Sequence, residues 1–385
     1  MDMSGGTEAM LHQLGLERAQ VETMFRERLG AVPTIRYLSD PALVWIVSSF
    51  IQKFAVSEVN ELRQRIEARS QNAGYDKIRV LISNIALDGF AGSELWTLEM
   101  ALFLNKSGVD VLVYSPTIGV VAKKFAAEGV AVTDRLDDVE SFRPTVAHIH
   151  HAGETGAVLA KVPANCRVVN MIHGLLPHPE WPMDNADVYA AVSLHAKAKA
   201  AIFSPAAWEE IPLIPNFFNP ERFPRRRRVQ NGRALLHSSR ISPASLERLR
   251  AIMADQGFTL DQIGYGGQVR DAPEAIIANY EIVFAAGRSA IEAMASGCAV
   301  VLWDDGVVGP AINRDNFWFA LPTNFSVASG VLPYMMIDQE ECPSWIGEQI
   351  AARDVTDETM LLVREHLSID RAASQLLRLY SRGEG

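Results

Sequence analysis

From Lys77 onward, short runs rich in β-branched residues alternate with longer stretches of helical spacing, the pattern of βα units around a parallel sheet. Strands are predicted at Ile78–Ile82, Val109–Tyr114, Val146–His150, Val168–His173, Val188–Ser193 and Pro212–Ile214. Between the first two, Glu94–Asn105 is apolar on nearly every face (Leu95, Trp96, Leu98, Met100, Leu102, Phe103). A helix packed on a sheet and under a neighbour has that composition. Residues 75–216 therefore read as one Rossmann-like domain. A proline-punctuated, basic stretch over 217–232 reads as a linker. A second alternation then begins, with strands at Ala234–Ser238, Ile282–Ala285 and Ala299–Trp303 and helices at Leu246–Gln256 and from Ser289. The segment from Asp354 to Arg382 is helical in pattern. Residues 1–74 differ: apolar positions recur every three or four residues between Ala9 and Arg28 and from Pro41 to Ser70, which predicts a helical N-terminal extension. The fold class is α/β, two Rossmann-like domains facing across a cleft, and open sheets of this kind bind ligands beyond the carboxyl ends of their strands.

The 385-residue chain is 48% apolar and 21% charged, a globular composition without repeats or low-complexity tracts. Its net charge of −10 argues against nucleic acid as a partner. Cys166, Cys298 and Cys342 are far apart and form no C-x-x-C pair, so neither a disulfide framework nor a cysteine metal site is expected. Residues 1–10 are polar and small, unlike a signal peptide. The apolar stretch Pro41–Val56 is interrupted by polar residues and shorter than the ~20 residues of a membrane span. A cytoplasmic setting is expected.

The segment Val283–Leu302 is the most informative. A buried strand ends at Ala285, Gly287 permits a tight turn, and a helix begins near Ser289. Helix N-termini offer unpaired N–H groups and a positive dipole end to a phosphate. Arg288 adds a bidentate cation there. Glu292, one turn inside, is placed to accept both hydroxyls of a ribose. The alternative is structural: Ser289 and Glu292 have capping-box spacing, and Gly297 is an ordinary helix stop. His173 closes a strand before Gly174, either projecting into the cleft or satisfied within the structure. His148 and His150 should share one strand face and His151 the other, and no carboxylate or cysteine completes a metal set at short range, so no metal is expected. The arginine run 225–228 fits a solvated linker, or a surface drawn to anionic lipid or charged glycan.

Gly287-Arg-Ser-Ala-Ile-Glu-Ala-Met-Ala-Ser-Gly-Cys-Ala-Val-Val301 resembles the nucleotide-sugar site of GT-B glycosyltransferases, particularly the large retaining group. Asp88-Gly-Phe-Ala-Gly-Ser-Glu94, Val169–Gly174, Ala186–Ser193, Ile214-Pro-Asn216, Ser239-Arg-Ile-Ser-Pro243 and Leu367–Tyr380 resemble further segments of that group in the same order, over roughly residues 77–382. The resemblance implies a GT-B fold with an acceptor domain over 75–216, a donor domain over 233–365 and a crossover helix over 366–385. It implies that Gly287, Arg288 and Ser289 lie at the diphosphate, that Glu292 binds the ribose, that Arg240 neutralises the leaving diphosphate, and that His173 binds the transferred sugar. Gly89, Gly92 and Ser93 would form an acceptor or phosphate loop, or simply a tight turn. Two positions depart from the group: Phe284 stands where a first glutamate is usual, and Ser245 where a lysine is. The implied activity is transfer of a sugar from a nucleotide diphosphate sugar, as donor substrate and with no cofactor, to a glycan, lipid-linked or small-molecule acceptor. A catalytically impaired binding or scaffold protein, and a sugar-nucleotide epimerase, are the alternatives. Peripheral contact with the inner membrane face, and homo-oligomerisation through residues 1–74, complete the expectations.

Overall fold

The computed structural model describes residues 78–89, 92–151, 155–174, 181–183, 185–238, 241–264, 272–304, 306–327 and 332–381. The N-terminal extension expected over residues 1–74 lies outside them. The first sheet holds β1 (Arg79–Ser83), β2 (Asp110–Tyr114), β3 (Ala131–Thr133), β4 (Val146–Ile149), β5 (Arg167–Ile172) and β6 (Val188–Ala191). Their order is β3-β2-β1-β4-β5-β6 and every pairing is parallel. Val80, Leu81 and Ile82 are consecutive and all 0% exposed, which requires cover on both faces of the sheet. Part of that cover is α1 (Gly92–Lys106), whose Trp96, Leu98, Met100 and Leu104 are buried. The helices α2 (Val120–Ala127), α3 (Leu136–Phe142), α4 (Thr155–Leu159) and α5 (Leu194–Phe203) follow in the same half of the chain.

The second sheet holds β7 (Arg233–His237), β8 (Thr259–Ile263), β9 (Ile282–Ala285), β10 (Ala299–Asp304), β11 (Val307–Ala311) and β12 (Met335–Met336), in the order β12-β11-β10-β9-β7-β8. Its strands β8, β7, β9 and β10 run parallel, and β11 and β12 are antiparallel additions at one edge. Around it stand α6 (Pro243–Asp255), α7 (Gly287–Ala295), α8 (Arg314–Ala320), α9 (Cys342–Ala352) and α10 (Glu358–His366). The last helix, α11 (Ile369–Tyr380), belongs to the other half: Ile369, Ala372, Ala373, Leu376, Leu377 and Tyr380 pack into one core with Trp96 and Leu98.

Two sequence expectations are corrected. Pro212–Ile214 forms no strand but a single bridge from Leu213 to Ala191, since Pro212 brings no N–H to a ladder. The helical pattern from Asp354 to Arg382 is split at Leu367–Ser368. There the linker residue Phe218 donates its N–H to the Leu367 carbonyl and accepts from the Ile369 N–H, both at 3.0 Å. The linker and the returning chain thus run side by side, hydrogen-bonded to each other.

The loop after β1 rests on the segment before α2, with Leu87 N–H donating to Thr117 O at 2.8 Å and Gly119 N–H to Leu87 O at 3.0 Å. A β-carbon at Gly119 would stand 2.3 Å from Asp88 Cα and 2.9 Å from its carbonyl oxygen, and backbone cannot step aside as a side-chain tip can. Gly119→Ala is therefore expected to cost about 1–3 kcal/mol and to displace Asp88–Gly89. Gly156→Ala, which meets nothing within 4 Å, serves as control in chemical denaturation. Equal stability of the two variants would refute this packing.

Candidate functional site

In each sheet the strand order reverses once beside the first strand, between β1 and β4 and between β7 and β9. The crevices outside the carboxyl ends of those strands are where such sheets admit ligands. In the first sheet the residues there are Asn84, His150 and His151. Asn84 donates through Nδ2 to Thr97 Oγ1 at 3.0 Å, and Thr97 Oγ1 stands 3.2 Å from His150 Nδ1. His151 Nδ1 accepts from the Ile85 N–H at 3.3 Å. In the second sheet they are Ser238, following β7, and the turn Ala286–Arg288 following β9. Arg240 and Ser239 lie outside the described residues.

Trp96, on α1, is the centre of an aromatic cluster. Its ring lies 5.4 Å from His148, 5.0 Å from His150, 5.1 Å from His173 and 5.5 Å from the linker's Phe217. His150 and His173 stand 4.4 Å apart. The Tyr380 hydroxyl, 2.5 Å from His148 Nδ1, ties α11 into the same cluster. Burial holds His148 neutral, its pKa lowered to about 3. Burial, and then repulsion from neighbouring imidazoles, hold His150 and His173 well below the usual histidine range. The Nε2 atoms of all three are buried with no hydrogen-bond partner among the described residues. Among those residues no three His, Cys, Asp or Glu side chains are placed to hold a metal ion.

Phe217 links this cluster to the second domain, because the Arg288 guanidinium carbon lies 5.5 Å from its ring centroid. Gly287 begins α7 at φ +58°, and its amide donates to the Phe325 carbonyl at 3.4 Å. The consecutive left-handed residues Asn324 and Phe325 deliver that carbonyl. The helix N-cap is Ala286 without a side-chain cap, which corrects the capping-box reading of Ser289 and Glu292. Ser289 is already inside the first turn. Glu292 turns back to its neighbour: Arg288 Nε donates to Glu292 Oε1 at 2.7 Å. Arg288 Nη2 also donates to Glu99 of α1. Glu99 accepts in addition from Arg222 of the linker, whose Nη2 and Nε reach Glu274 at 2.8 and 3.4 Å.

Burial is deep in this ionic cluster, with Glu99 1%, Glu292 5% and Arg288 8% exposed. It pushes the Glu292 carboxyl up against the pull of Arg288. Burial opposes the charges of Arg222 and Arg288 too, but the facing glutamates outweigh it and both guanidiniums hold their protons more tightly than usual.

The structure thus brings His173, Arg288 and Glu292 into one continuous set of contacts and places Gly92 and Ser93 at the start of the helix that carries Trp96 and Glu99. Gly89 lies beside that start, its missing β-carbon 3.3 Å from the Glu94 carboxylate. Sequence reasoning missed Glu99, Arg222 and Glu274. The available signal was Glu99 itself, a carboxylate within a helix read as apolar on nearly every face. The two departures also find their places. Phe284 is 0% exposed and lies in a separate core 6.5 Å edge-on to Trp303, and Ser245 donates its N–H to the Ser242 hydroxyl that caps α6. Arg225 and Arg228 are not simply solvated; they pair with Asp357 at 3.4 Å and Asp354 at 3.5 Å. A cavity of 350 Å³ lined by Pro212, Ile214, Gln375 and Arg378 includes none of the candidate residues. Among the described residues no helix is long and apolar enough to cross a membrane.

No protein-family model matches the chain, and no curated protein matches it in sequence. Solved structures do match. A glycosyltransferase from Rickettsia africae aligns over 79% of this chain and 98% of its own at 11% identity and a TM-score of 0.52. HepE from Anabaena, solved in complex with UDP, aligns over 78% and 99% at 14% identity and a TM-score of 0.50. At such identities the likeness is one of fold, and it agrees with two Rossmann-like sheets joined by a linker and a returning terminal helix. The chain is a divergent protein of the GT-B glycosyltransferase fold.

Proposed function

We propose that this chain is a glycosyltransferase that takes a sugar from a nucleotide diphosphate donor seated against the second domain. It passes that sugar to a glycan, lipid-linked or small-molecule acceptor seated against the first. The observation that carries the reading is the placement of Arg288 and Glu292, one helical turn apart, on the helix leaving the reversal point of the second sheet and facing α1 of the first. The UDP held by HepE, a protein of the same fold, supports the donor class.

In this reading the diphosphate lies at the start of α7, where the amides of Arg288 and Ser289 and the Arg288 guanidinium meet its charge. Gly287 keeps the backbone close at its left-handed φ. Glu292 exchanges its bond to Arg288 for the ribose hydroxyls. The bond from the anomeric carbon to the diphosphate oxygen breaks as the acceptor oxygen bonds to that carbon and gives up its proton to the departing diphosphate. Charge grows on the diphosphate, and donors already in place there lower the barrier more than reorienting water could. Arg240, on the resemblance, supplies a second cation beyond β7. His173 contacts the sugar, and Gly89, Gly92 and Ser93 contact acceptor or phosphate.

One observation favours a second reading, a nucleotide-binding scaffold without turnover: Arg288 and Glu292 already neutralise each other in a buried cluster, and Phe284 removes a carboxylate from the donor side. Incubation with a panel of sugar nucleotides and a mixed acceptor pool, read by mass spectrometry, separates the two. Glycosylated acceptor with matching release of nucleoside diphosphate is expected. Binding without any product would favour the scaffold, and the absence of binding would remove both.

A further inference from the structure

Ion pairing between the domains within the buried cluster runs through a single side chain of the first domain. Glu274, Arg222, Glu99, Arg288 and Glu292 form a line of alternating charge, and of these only Glu99 belongs to the first domain. Its carboxylate oxygens are divided: Oε1 accepts from Arg222 of the linker and Oε2 from Arg288 of the second domain. One Arg288 donor, Nη1, remains buried without a partner among the described residues. The line holds three carboxylates and two guanidiniums, so removing one carboxylate charge leaves it balanced rather than cationic.

We infer that Glu99 is a positioning residue that latches the domains together and competes with the donor diphosphate for Arg288. The competition rests on Arg288 being a diphosphate ligand, whereas the latch itself rests only on the ion pairs. A diphosphate is also an oxygen anion suited to a guanidinium fork, and it carries more charge than a carboxylate. On its arrival Arg288 changes partner, while Glu99 keeps Arg222. Donor binding and release of the interdomain contact are then coupled, each weakening the other's hold on the same guanidinium.

The test uses the full chain and two variants. Glu99→Gln keeps the shape of the side chain and removes its charge. Titration with uridine, guanosine and adenosine diphosphates should show about tenfold tighter binding of the preferred nucleotide. Small-angle scattering without nucleotide should show a larger radius of gyration than the unsubstituted chain. Arg222→Met removes the other arm, leaves Glu99 wholly to Arg288, and should weaken nucleotide binding by a similar factor. Unchanged or weaker binding by Glu99→Gln together with unchanged scattering overturns the latch. If the unsubstituted chain binds none of the three nucleotides, the donor reading fails, and scattering by Glu99→Gln still decides whether the domains are latched. Circular dichroism of both variants separates loss of fold from loss of the contact; if Glu99→Gln is unfolded, the affinity change in Arg222→Met decides, and an unchanged affinity there overturns the competition.

Discussion

Lowering the pH from 7 toward 5 is expected to unfold the protein, and the buried imidazoles are the cause. Burial lowers His148 to about 3 and His151 and His237 to about 4, and holds His150 and His173 well below their ordinary 6.5. In each case the folded state keeps the ring neutral while the unfolded chain accepts a proton near 6.5. Above that pH the two states bind the same number of protons and stability does not change. Below it the unfolded state binds more, and each ring contributes a loss of about 1.4 kcal/mol per pH unit until its folded value is reached. Several rings titrating together consume a typical stability of about 5–15 kcal/mol within one to two units. Glu292 offsets part of this, since its raised carboxyl takes up a proton in the folded state as pH falls. Thermal melts by near-ultraviolet circular dichroism should show a level midpoint above pH 6.5 and a steep fall below it. A midpoint unchanged between pH 6.5 and 5 would mean that these rings are reachable by solvent. His150→Gln, which keeps a polar group beside Thr97, should flatten the slope by about one proton's worth.

The sheets were legible in the sequence where burial on both faces writes itself as an unbroken apolar run. The predicted strand Ile282–Ala285 is observed residue for residue, and β1, β2, β4 and β5 lie within a residue or so of expectation. The missed strands lack that run. Residues Thr259–Gln262 alternate exposed and half-buried, with only Ile263 buried, as in an edge strand. Strand β11 contains Gly309-Pro310, which reads as a breaker. A β-carbon at Gly309 would stand 2.1 Å from Val327 Cγ1, so the glycine is a packing requirement that only tertiary structure reveals. Spacing alone hid the division of α10 from α11, which the resemblance set near residue 366, because leucine spacing continues across it and the break is made by Phe218, 149 positions before Leu367.

The candidate site divides in the same way. Gly287, Arg288 and Glu292 could be found because a strand, a glycine and a helix occur in one short segment. What Glu292 touches could not. The capping-box spacing from Ser289 fits the sequence, but the helix begins earlier, at Gly287, and that offset of two residues leaves the carboxylate for Arg288 instead. Glu99 and Arg222 belong to the site only because α1, the linker and α7 converge, and no periodicity in any one segment encodes a contact 123 or 189 residues away.

Removing Arg288 alone should be far more damaging than removing it with Glu292. In Arg288→Met, Glu292 is left as a buried carboxylate without its cation and Glu99 loses one of its two. Stripping one partner from a buried pair costs about 3–5 kcal/mol, whereas replacing both by neutral groups of similar shape is often close to neutral. The double variant Arg288→Met with Glu292→Gln should therefore recover much of the lost stability, since Glu99 keeps Arg222. The single variant's penalty should be largest at alkaline pH, where Glu292 must stay charged, and should shrink as the carboxyl takes up a proton. Nucleotide diphosphate binding should follow a different course. It should fall about ten- to a hundredfold in both variants, because a hydrogen bond from a guanidinium to an anion contributes about 1.5–3 kcal/mol and the double variant restores none. Denaturant unfolding and nucleotide titration of the same four proteins, unsubstituted, each single and the double, read both quantities. Strict additivity of the stability changes would show that Arg288 and Glu292 do not act as a pair. Recovery of stability with nucleotide affinity untouched throughout would leave the pair a structural brace and move the donor elsewhere.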